Sequence, residues 1–292
     1  MFIERFNQYL KFEKRFSPHT VGAYQKDLQQ FSDYLKNLDL DFASAQHLHI
    51  TGFIVDLIES QKVEAVSVNR KISSLRTFYK FLNREKLVST NPMLHVKALK
   101  VPKKLPVVVE EEKLNDLLDA RDVFSDDFSG LRDRLVIELL FGTGMRLAEL
   151  LSLKESDIDP WNKSIRVVGK RSKERIIPIN STLHGLIKSY LDQKRSLVKA
   201  SEFLITTEAG DRGYPKLIYR IVNKYLSYIS TRTKKSPHVL RHTFATSLLN
   251  RGADLNAIKE LLGHVGLAAS QVYTHNSVER LKSIYKQAHP KA

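Results

Sequence analysis

The chain has 292 residues and carries 47 lysines and arginines against 32 aspartates and glutamates, a formal net charge of +15. It contains no cysteine, which excludes disulfides and thiolate metal sites. This length predicts two domains, and the positive charge predicts a polyanionic partner. The sequence has neither a signal pattern nor an apolar run of about 18 residues, which predicts a cytosolic protein without a membrane span.

The first 98 residues predict an N-terminal helical domain of about four helices. Ser17 and Pro18 are typical of an N-cap and a first helical position, and the helix they begin extends to about Leu35. Residues 1–104 carry 17 basic and 10 acidic side chains, and the remainder carries 30 and 22. Because both parts are basic, we expect them to form a clamp around duplex DNA.

A second N-terminal helix, predicted from Ala65 to Arg84, has no acidic residue. Its apolar stripe comprises Val68, Ile72, Leu75, Tyr79 and Leu82. A solvated helix face usually mixes both charge signs, so a helix that faces DNA is the favoured interpretation. The side chains expected to bind DNA are Arg70, Arg76, Lys80 and Arg84.

Residues 99–106 predict a linker, because they combine two prolines with three lysines. The second domain, residues 107–292, then begins. Its first candidate residue is Arg146, which follows the helix break at Phe141–Gly144 and lies in the first turn of the next helix. A cation at the positive end of a helix is suited to binding an external anion. The alternative is a solvated ion pair with Glu149.

Lys170 lies in a predicted hairpin turn. The alternating segments Ser164–Val168 and Arg175–Ile179 predict two strands, which places Gly169 to Lys173 at the turn between them. Taken alone, a lysine in such a turn is usually only solvated.

A helix that ends at Asn250 is predicted, with Ser236 as its N-cap and Pro237 as its first residue, followed by the run His238 to Asn250. Helical periodicity places Arg241 inside the apolar arc of this helix, with His238 on the same side one turn earlier. A buried arginine requires an anion, either a bound ligand or a salt bridge with Glu149.

The last candidates follow a helix that ends near Gly263. His264 comes directly after this helix end, and Tyr273 lies further along the chain. A single histidine or tyrosine here is most often a packing residue, and a nucleophilic tyrosine requires a proton acceptor and a strong electrophile. Residues 276–287 have apolar residues at helical spacing and predict a final helix.

Five motifs in this order resemble those of the tyrosine recombinases, and most closely those of the Xer branch. They are Thr143-Gly144-Met145-Arg146-Leu147-Ala148-Glu149-Leu150, Gly169-Lys170, His238-Val239-Leu240-Arg241-His242, Leu262-Gly263-His264 and Tyr273-Thr274-His275. The resemblance covers nearly the whole chain. It implies a mainly α fold with a small β-sheet, in which a SAM-like core-binding domain precedes a catalytic domain.

The resemblance also implies a catalytic role for six residues and a supporting role for one. Tyr273 would attack the scissile phosphate and form a 3′-phosphotyrosyl link. Arg146, Arg241 and His264 would bind the phosphate oxygens, Lys170 would protonate the leaving 5′-oxygen, and His238 would accept the tyrosine proton. Glu149 would orient Arg146, and neither a metal nor a cofactor would be required.

For partners, the resemblance implies duplex DNA with an inverted-repeat core site and a homo- or heterotetramer on paired sites, exchanging strands through a Holliday junction. The final helix would contact a neighbouring subunit. The sequence does not determine the target site. It leaves open whether a paralogous recombinase or a septal DNA translocase is a partner. It also leaves open an integrase or invertase of a mobile element and an inactive structural DNA-binding relative.

Overall fold

A computed structural model of the chain describes residues 2–102, 107–120, 122–169, 173–197, 201–231 and 235–263. The chain forms two compact units, Met1–Lys104 and Leu105–Ala292. The described residues are mainly helical with one small sheet, so the predicted fold class is confirmed. None of the described helices combines the length and apolar character that crossing a membrane requires.

The N-terminal unit consists of helices around an aromatic core. Its elements are α1 (Phe2–Gln8), a π-helical turn (Tyr9–Glu13), α2 (Pro18–Lys36), α3 (His47–Glu59) and α4 (Ala65–Arg84). The predicted bounds of α4 are confirmed, and the Ser17 hydroxyl caps α2 by accepting a hydrogen bond from the Thr20 amide at 3.2 Å. The core includes the fully buried rings of Phe6, Phe31, Phe53, Phe78 and Tyr79.

The buried face of α4 is the predicted apolar stripe, with all five of its members at most 1% exposed. A charged group is also buried beneath the helix. Asp27 of α2 is 1% exposed and accepts hydrogen bonds from Arg70, Lys71 and Ser74. An unpaired carboxylate there would be costly, so these contacts stabilise the packing of α2 against α4.

The described residues of the C-terminal unit form seven α-helices, a 3-10 turn (Glu155–Asp157) and a three-stranded sheet. The helices are α5 (Glu111–Asp119), α6 (Phe128–Thr143), α7 (Leu147–Ser152), α8 (Ser181–Leu197), α9 (Pro215–Ile229), α10 (Pro237–Asn250) and α11 (Leu255–Leu262). The sheet comprises β1 (Ile158–Asp159), β2 (Ser164–Val168) and β3 (Glu174–Pro178), which pair antiparallel in sequence order, with Ile165 opposite Ile177.

Helix α6 lies at the centre of this unit and packs against α8 and α10. It is buried around most of its circumference, as expected for a helix enclosed by others, and its buried residues include the charged Arg132, Asp133 and Glu138. It ends at Gly144, which adopts the left-handed conformation with φ of 60°. A Cβ at this position would lie 2.3 Å from Cδ1 of Phe244 and 2.8 Å from Cδ2 of Leu262. Glycine therefore lets α10 and α11 approach the end of α6 closely.

Candidate active site

Glu149 lies at the centre of the candidate site, with two arginines bound to it. Its Oε1 accepts hydrogen bonds from Nη1 of Arg146 and Nη1 of Arg175, each at 2.8 Å. Its Oε2 accepts from Nη2 of Arg175 at 2.8 Å and from the backbone amide of Arg146 at 2.7 Å. The last contact caps the N-terminus of α7, because Glu149 occupies the third position of that helix. Arg146 thus forms the ion pair with Glu149 that the sequence left as the alternative to binding an external anion.

The Glu149 carboxylate is ionised although it is only 4% exposed. Burial by itself would raise the pKa of Glu149. The hydrogen bonds and charge of Arg175, together with the contacts from Arg146, outweigh burial and hold the pKa below its usual value. The carboxylate therefore serves as a fixed anchor for both guanidinium groups.

Arg241 is buried, as its position in the apolar arc of α10 predicted. Its Nη1 donates to the carbonyl of Gly144 at 2.5 Å, and its Nη2 donates to the carbonyl of Leu262 at 2.7 Å. Burial, followed by the nearby charge of Arg146, lowers the pKa of Arg241 to about 10. The guanidinium remains charged at neutral pH, and a bound anion would offset its repulsion by Arg146.

Three arginines from three different elements bind the C-terminus of α11. Arg175 donates to the carbonyl of Leu261, Arg241 to that of Leu262 and Arg146 to that of Gly263, at 2.8, 2.7 and 3.2 Å. The last carbonyls of a helix have no partner within the helix and carry partial negative charge, so cations stabilise them. The structure thus brings Arg146, Arg241 and Glu149 together beside the residue that precedes His264.

His238 lies in the first turn of α10, exposed and one turn before Arg241. Lys170, His264 and Tyr273 lie outside the described residues, as does the predicted final helix. The residues preceding two of these candidates are described. Gly169 and Gly263 both lie against the arginine cluster, since a Cβ on either would be 3.7 Å or less from Nη1 of Arg175.

The four side chains of α4 that we expected to bind DNA are all exposed, but they differ in their contacts within the protein. Arg70 pairs with Asp27, and Arg76 donates to the Val96 carbonyl at 2.8 Å. Arg84 forms ion pairs with two glutamates and stacks on the Tyr9 ring, whereas Lys80 has no ion pair with a described residue.

Sequence reasoning missed two features of the C-terminal unit. The first is Arg175. The alternation of side chains along a strand could have indicated its burial, because Arg175 shares one face of β3 with Ile177. The second is the exposed face of α9, where Lys216, Arg220 and Lys224 lie at successive turns and the whole helix has no acidic residue. This basic face is a second candidate surface for nucleic acid.

Models of two protein families match the chain. The phage integrase family matches residues 108–280, and the N-terminal SAM-like domain of phage integrases matches residues 3–86. Two curated relatives are named tyrosine recombinase XerC. The protein from Myxococcus xanthus is 39% identical over 99% of this chain and 98% of its own, and that from Bacillus subtilis is 35% identical over 100% and 97%.

A solved structure has a similar fold. It is the pre-cleavage complex of the XerH site-specific recombinase bound to its difH substrate, with a TM-score of 0.71 and 23% identity over 96% of this chain and 82% of that one. The motifs, the fold and the full-length relatives all agree. The chain belongs to the phage integrase family and is a tyrosine recombinase, an enzyme that cuts and rejoins DNA.

Proposed function

We propose that this enzyme is a Xer-type recombinase that resolves chromosome dimers at a short dif-like site. The observation that carries the proposal is the convergence of Arg146 and Arg241 on the end of α11, where Arg146 is held by Glu149. Full-length similarity to proteins named XerC supports the Xer assignment. The XerH complex, which holds its difH substrate, supports DNA of this class as the target.

In this proposal, Arg146 and Arg241 bind the non-bridging oxygens of the scissile phosphate. Planar guanidiniums match a phosphate with paired, charge-assisted hydrogen bonds. The side chain of Arg146 is 35% exposed, so its guanidinium has room to meet a substrate. The three clustered arginines and the single carboxylate leave two positive charges to neutralise the charge that develops on the phosphorane.

Cleavage then exchanges one phosphodiester for another. The Tyr273 oxygen forms a bond to phosphorus, the bond from phosphorus to the 5′-oxygen breaks, and a 3′-phosphotyrosyl link results. His238 accepts the tyrosine proton, Lys170 donates a proton to the departing 5′-oxygen, and His264 donates a further hydrogen bond to the phosphorane. Since the phosphodiester is conserved in the phosphotyrosine, a DNA 5′-hydroxyl can reverse the step without an added energy source.

DNA binding is proposed to use both units. In the N-terminal unit, Arg70, Arg76, Lys80 and Arg84 of α4 would contact a core site arranged as an inverted repeat. In the catalytic unit, the basic face of α9 would add phosphate contacts. Recombination would require a tetramer on two paired sites, assembled from this chain alone or with a paralogue. It would take place on the chromosome in the cytoplasm, where a septal DNA translocase is the proposed activator.

The test maps covalent protein–DNA adducts in source cells without added crosslinker, for wild type and for Tyr273→Phe. We expect a single Tyr273-dependent position on the chromosome. Several positions at the ends of mobile elements would contradict the chromosomal role and indicate an integrase or an invertase. A blank result, when purified protein also forms no adduct on a nicked substrate yet still binds DNA, would indicate a structural DNA-binding protein.

A further inference from the structure

We propose that Arg175 is a positioning residue for strand cleavage, which holds Glu149 and the end of α11 so that Arg146 remains available to the scissile phosphate. The inference rests on the proposed function, because it assigns Arg146 to that phosphate. None of the five motifs that identify the family contains Arg175.

The hydrogen bonds of Glu149 carry the first step of the argument. An ionised carboxylate accepts about four hydrogen bonds. Glu149 receives four, two from the Arg175 fork and two from Arg146, of which one comes from the Arg146 backbone amide. Arg175 therefore occupies one acceptor position on each carboxylate oxygen, and Arg146 is left with a single side-chain bond to the carboxylate.

Removing Arg175 would change the hydrogen bonding of Arg146. The carboxylate would be left with two free acceptor positions in a buried site, and the nearest guanidinium would be that of Arg146. A two-bond fork is the preferred arrangement of an arginine and a carboxylate. Arg146 would then turn toward Glu149, and the net charge of the cluster would fall from +2 to +1. Both changes weaken the stabilisation of the negative charge that develops on the scissile phosphate during cleavage.

Arg175 also lies against the two chain segments that lead into Lys170 and His264. Its Nε donates to the carbonyl of Leu261 at 2.8 Å, in the last turn of α11. Cβ atoms built on Gly263 and Gly169 would lie 3.2 and 3.7 Å from its Nη1. The buried guanidinium of Arg175 thus binds Glu149 in α7 and Leu261 in α11 and lies beside Gly169. These contacts are close in sequence to Arg146, His264 and Lys170.

Burial indicates that Arg175 acts through these neighbours. Arg175 is only 3% exposed, and its Nε, Nη1 and Nη2 all donate to protein acceptors. Arg146, by contrast, keeps a third of its side chain exposed. We therefore expect Arg175 to affect the rate of cleavage far more than the affinity for DNA.

The experiment compares Arg175→Lys and Arg175→Met with Arg132→Lys and Arg132→Met. Arg132 is a matched control in α6, because it is 6% exposed and binds Asp133 with Nε and Nη2. For each full-length variant, single-turnover cleavage of a nicked substrate, the Kd for DNA and the melting temperature are measured.

We expect Arg175→Met to cleave about 100-fold more slowly, since misplacing a reacting group by an ångström costs a factor of that order. The Kd should change by less than about threefold, which corresponds to the loss of less than one charge-assisted hydrogen bond. Arg175→Lys should restore part of the rate, because a lysine keeps the charge but not the fork. The Arg132 variants should melt at lower temperature and cleave at the wild-type rate.

A double-mutant cycle with Glu149→Gln separates positioning from a general loss of stability. If Arg175 acts through Glu149, Arg175→Met should slow Glu149→Gln much less than it slows wild type. The pH dependence gives a second readout. Without Arg175, burial would raise the pKa of Glu149, so the acid limb of the cleavage profile should move toward neutral pH.

The inference and the proposed function fail in different ways. If wild type forms no Tyr273-dependent adduct, the proposed function fails and the inference with it. If wild type cleaves and Arg175→Met matches it, or the Arg132 variants lose as much rate, the inference alone is overturned. If Arg175→Met does not fold, Arg175→Lys is compared with wild type and with Arg132→Lys in the same way. The inference is also overturned if Arg175→Met slows Glu149→Gln as much as it slows wild type.

Discussion

Replacing Gly144 with alanine should destabilise the catalytic unit and slow cleavage together. Gly144 is where three parts of the site meet, because it ends α6, packs against Phe244 and Leu262, and accepts a hydrogen bond from Arg241 through its carbonyl. A methyl group there has no free space, since the nearest atoms would lie at 2.3, 2.8 and 2.9 Å. The backbone or the two side chains must therefore move.

The expected loss of stability has two parts. A non-glycine residue in the left-handed conformation costs about 1 kcal/mol. Overpacking of a core by added carbon atoms costs about 1–3 kcal/mol. Together they predict that Gly144→Ala lowers the free energy of unfolding by about 2–4 kcal/mol. Any shift of the Gly144 carbonyl also displaces Arg241, so cleavage should fall in molecules that remain folded.

Urea unfolding followed by circular dichroism measures the first effect, and single-turnover cleavage of a nicked substrate measures the second. Gly185→Ala is the control, because Gly185 is exposed on α8 and an added Cβ would have no atom within 4 Å. That change should stabilise the protein by about 0.5–1 kcal/mol, as expected for glycine to alanine within a helix. Equal midpoints for wild type and Gly144→Ala would refute the packing argument.

Three further predictions concern the N-terminal unit. Lys80→Gln should reduce the slope of the logarithm of the DNA-binding constant against the logarithm of the salt concentration by about 0.9, the value for one phosphate. Arg84→Gln should reduce this slope less, because Arg84 already pairs with two glutamates. DNA titrations at several salt concentrations measure both slopes, and equal slopes for the two variants would contradict the prediction. Burial, followed by the charge of Asp41, raises the pKa of Tyr79, so the stability that Tyr79 contributes is fully present below pH of about 10 and is lost as pH rises through its folded pKa. Tyr79→Phe should lower the free energy of unfolding by about 1 kcal/mol near neutral pH, because the hydrogen bond to the Phe42 carbonyl is lost. Its stability, measured by urea unfolding, should also decline less steeply as pH rises. An unchanged decline would show that other groups cause it. Ser17→Ala should lower the free energy of unfolding by about 1 kcal/mol, because α2 loses its N-cap. Urea unfolding measures this change, and an unchanged midpoint would show that the cap contributes nothing.

Most helices could be predicted because local signals mark their ends and their buried faces. In α4 the apolar stripe and the bounds followed from periodicity. The sequence pattern of α4 did not reveal the acidic partners of its basic residues, because Asp27 belongs to another helix. An absence of acid along one helix says little about charges that packing brings to it.

The candidate site shows the same limit. The pairing of Arg146 with Glu149 could be foreseen, since the two residues are three positions apart across the first turn of one short helix. The burial of Arg241 followed from its position among apolar neighbours. The carbonyls that Arg241 contacts were not predictable, because they belong to residues distant in sequence. The roles assigned to Lys170, His264 and Tyr273 remain predictions.

The most direct test of the central claim incubates purified wild type and Tyr273→Phe with a duplex that carries a nick beside the proposed cleavage position. The nick lets the short fragment diffuse away, so that the covalent adduct accumulates and is visible on a denaturing gel. We predict an adduct with wild type, none with Tyr273→Phe, and equal DNA affinity for the two proteins. An adduct formed by Tyr273→Phe would contradict the assignment of the nucleophile, and its absence from wild type with DNA binding intact would contradict the proposed chemistry.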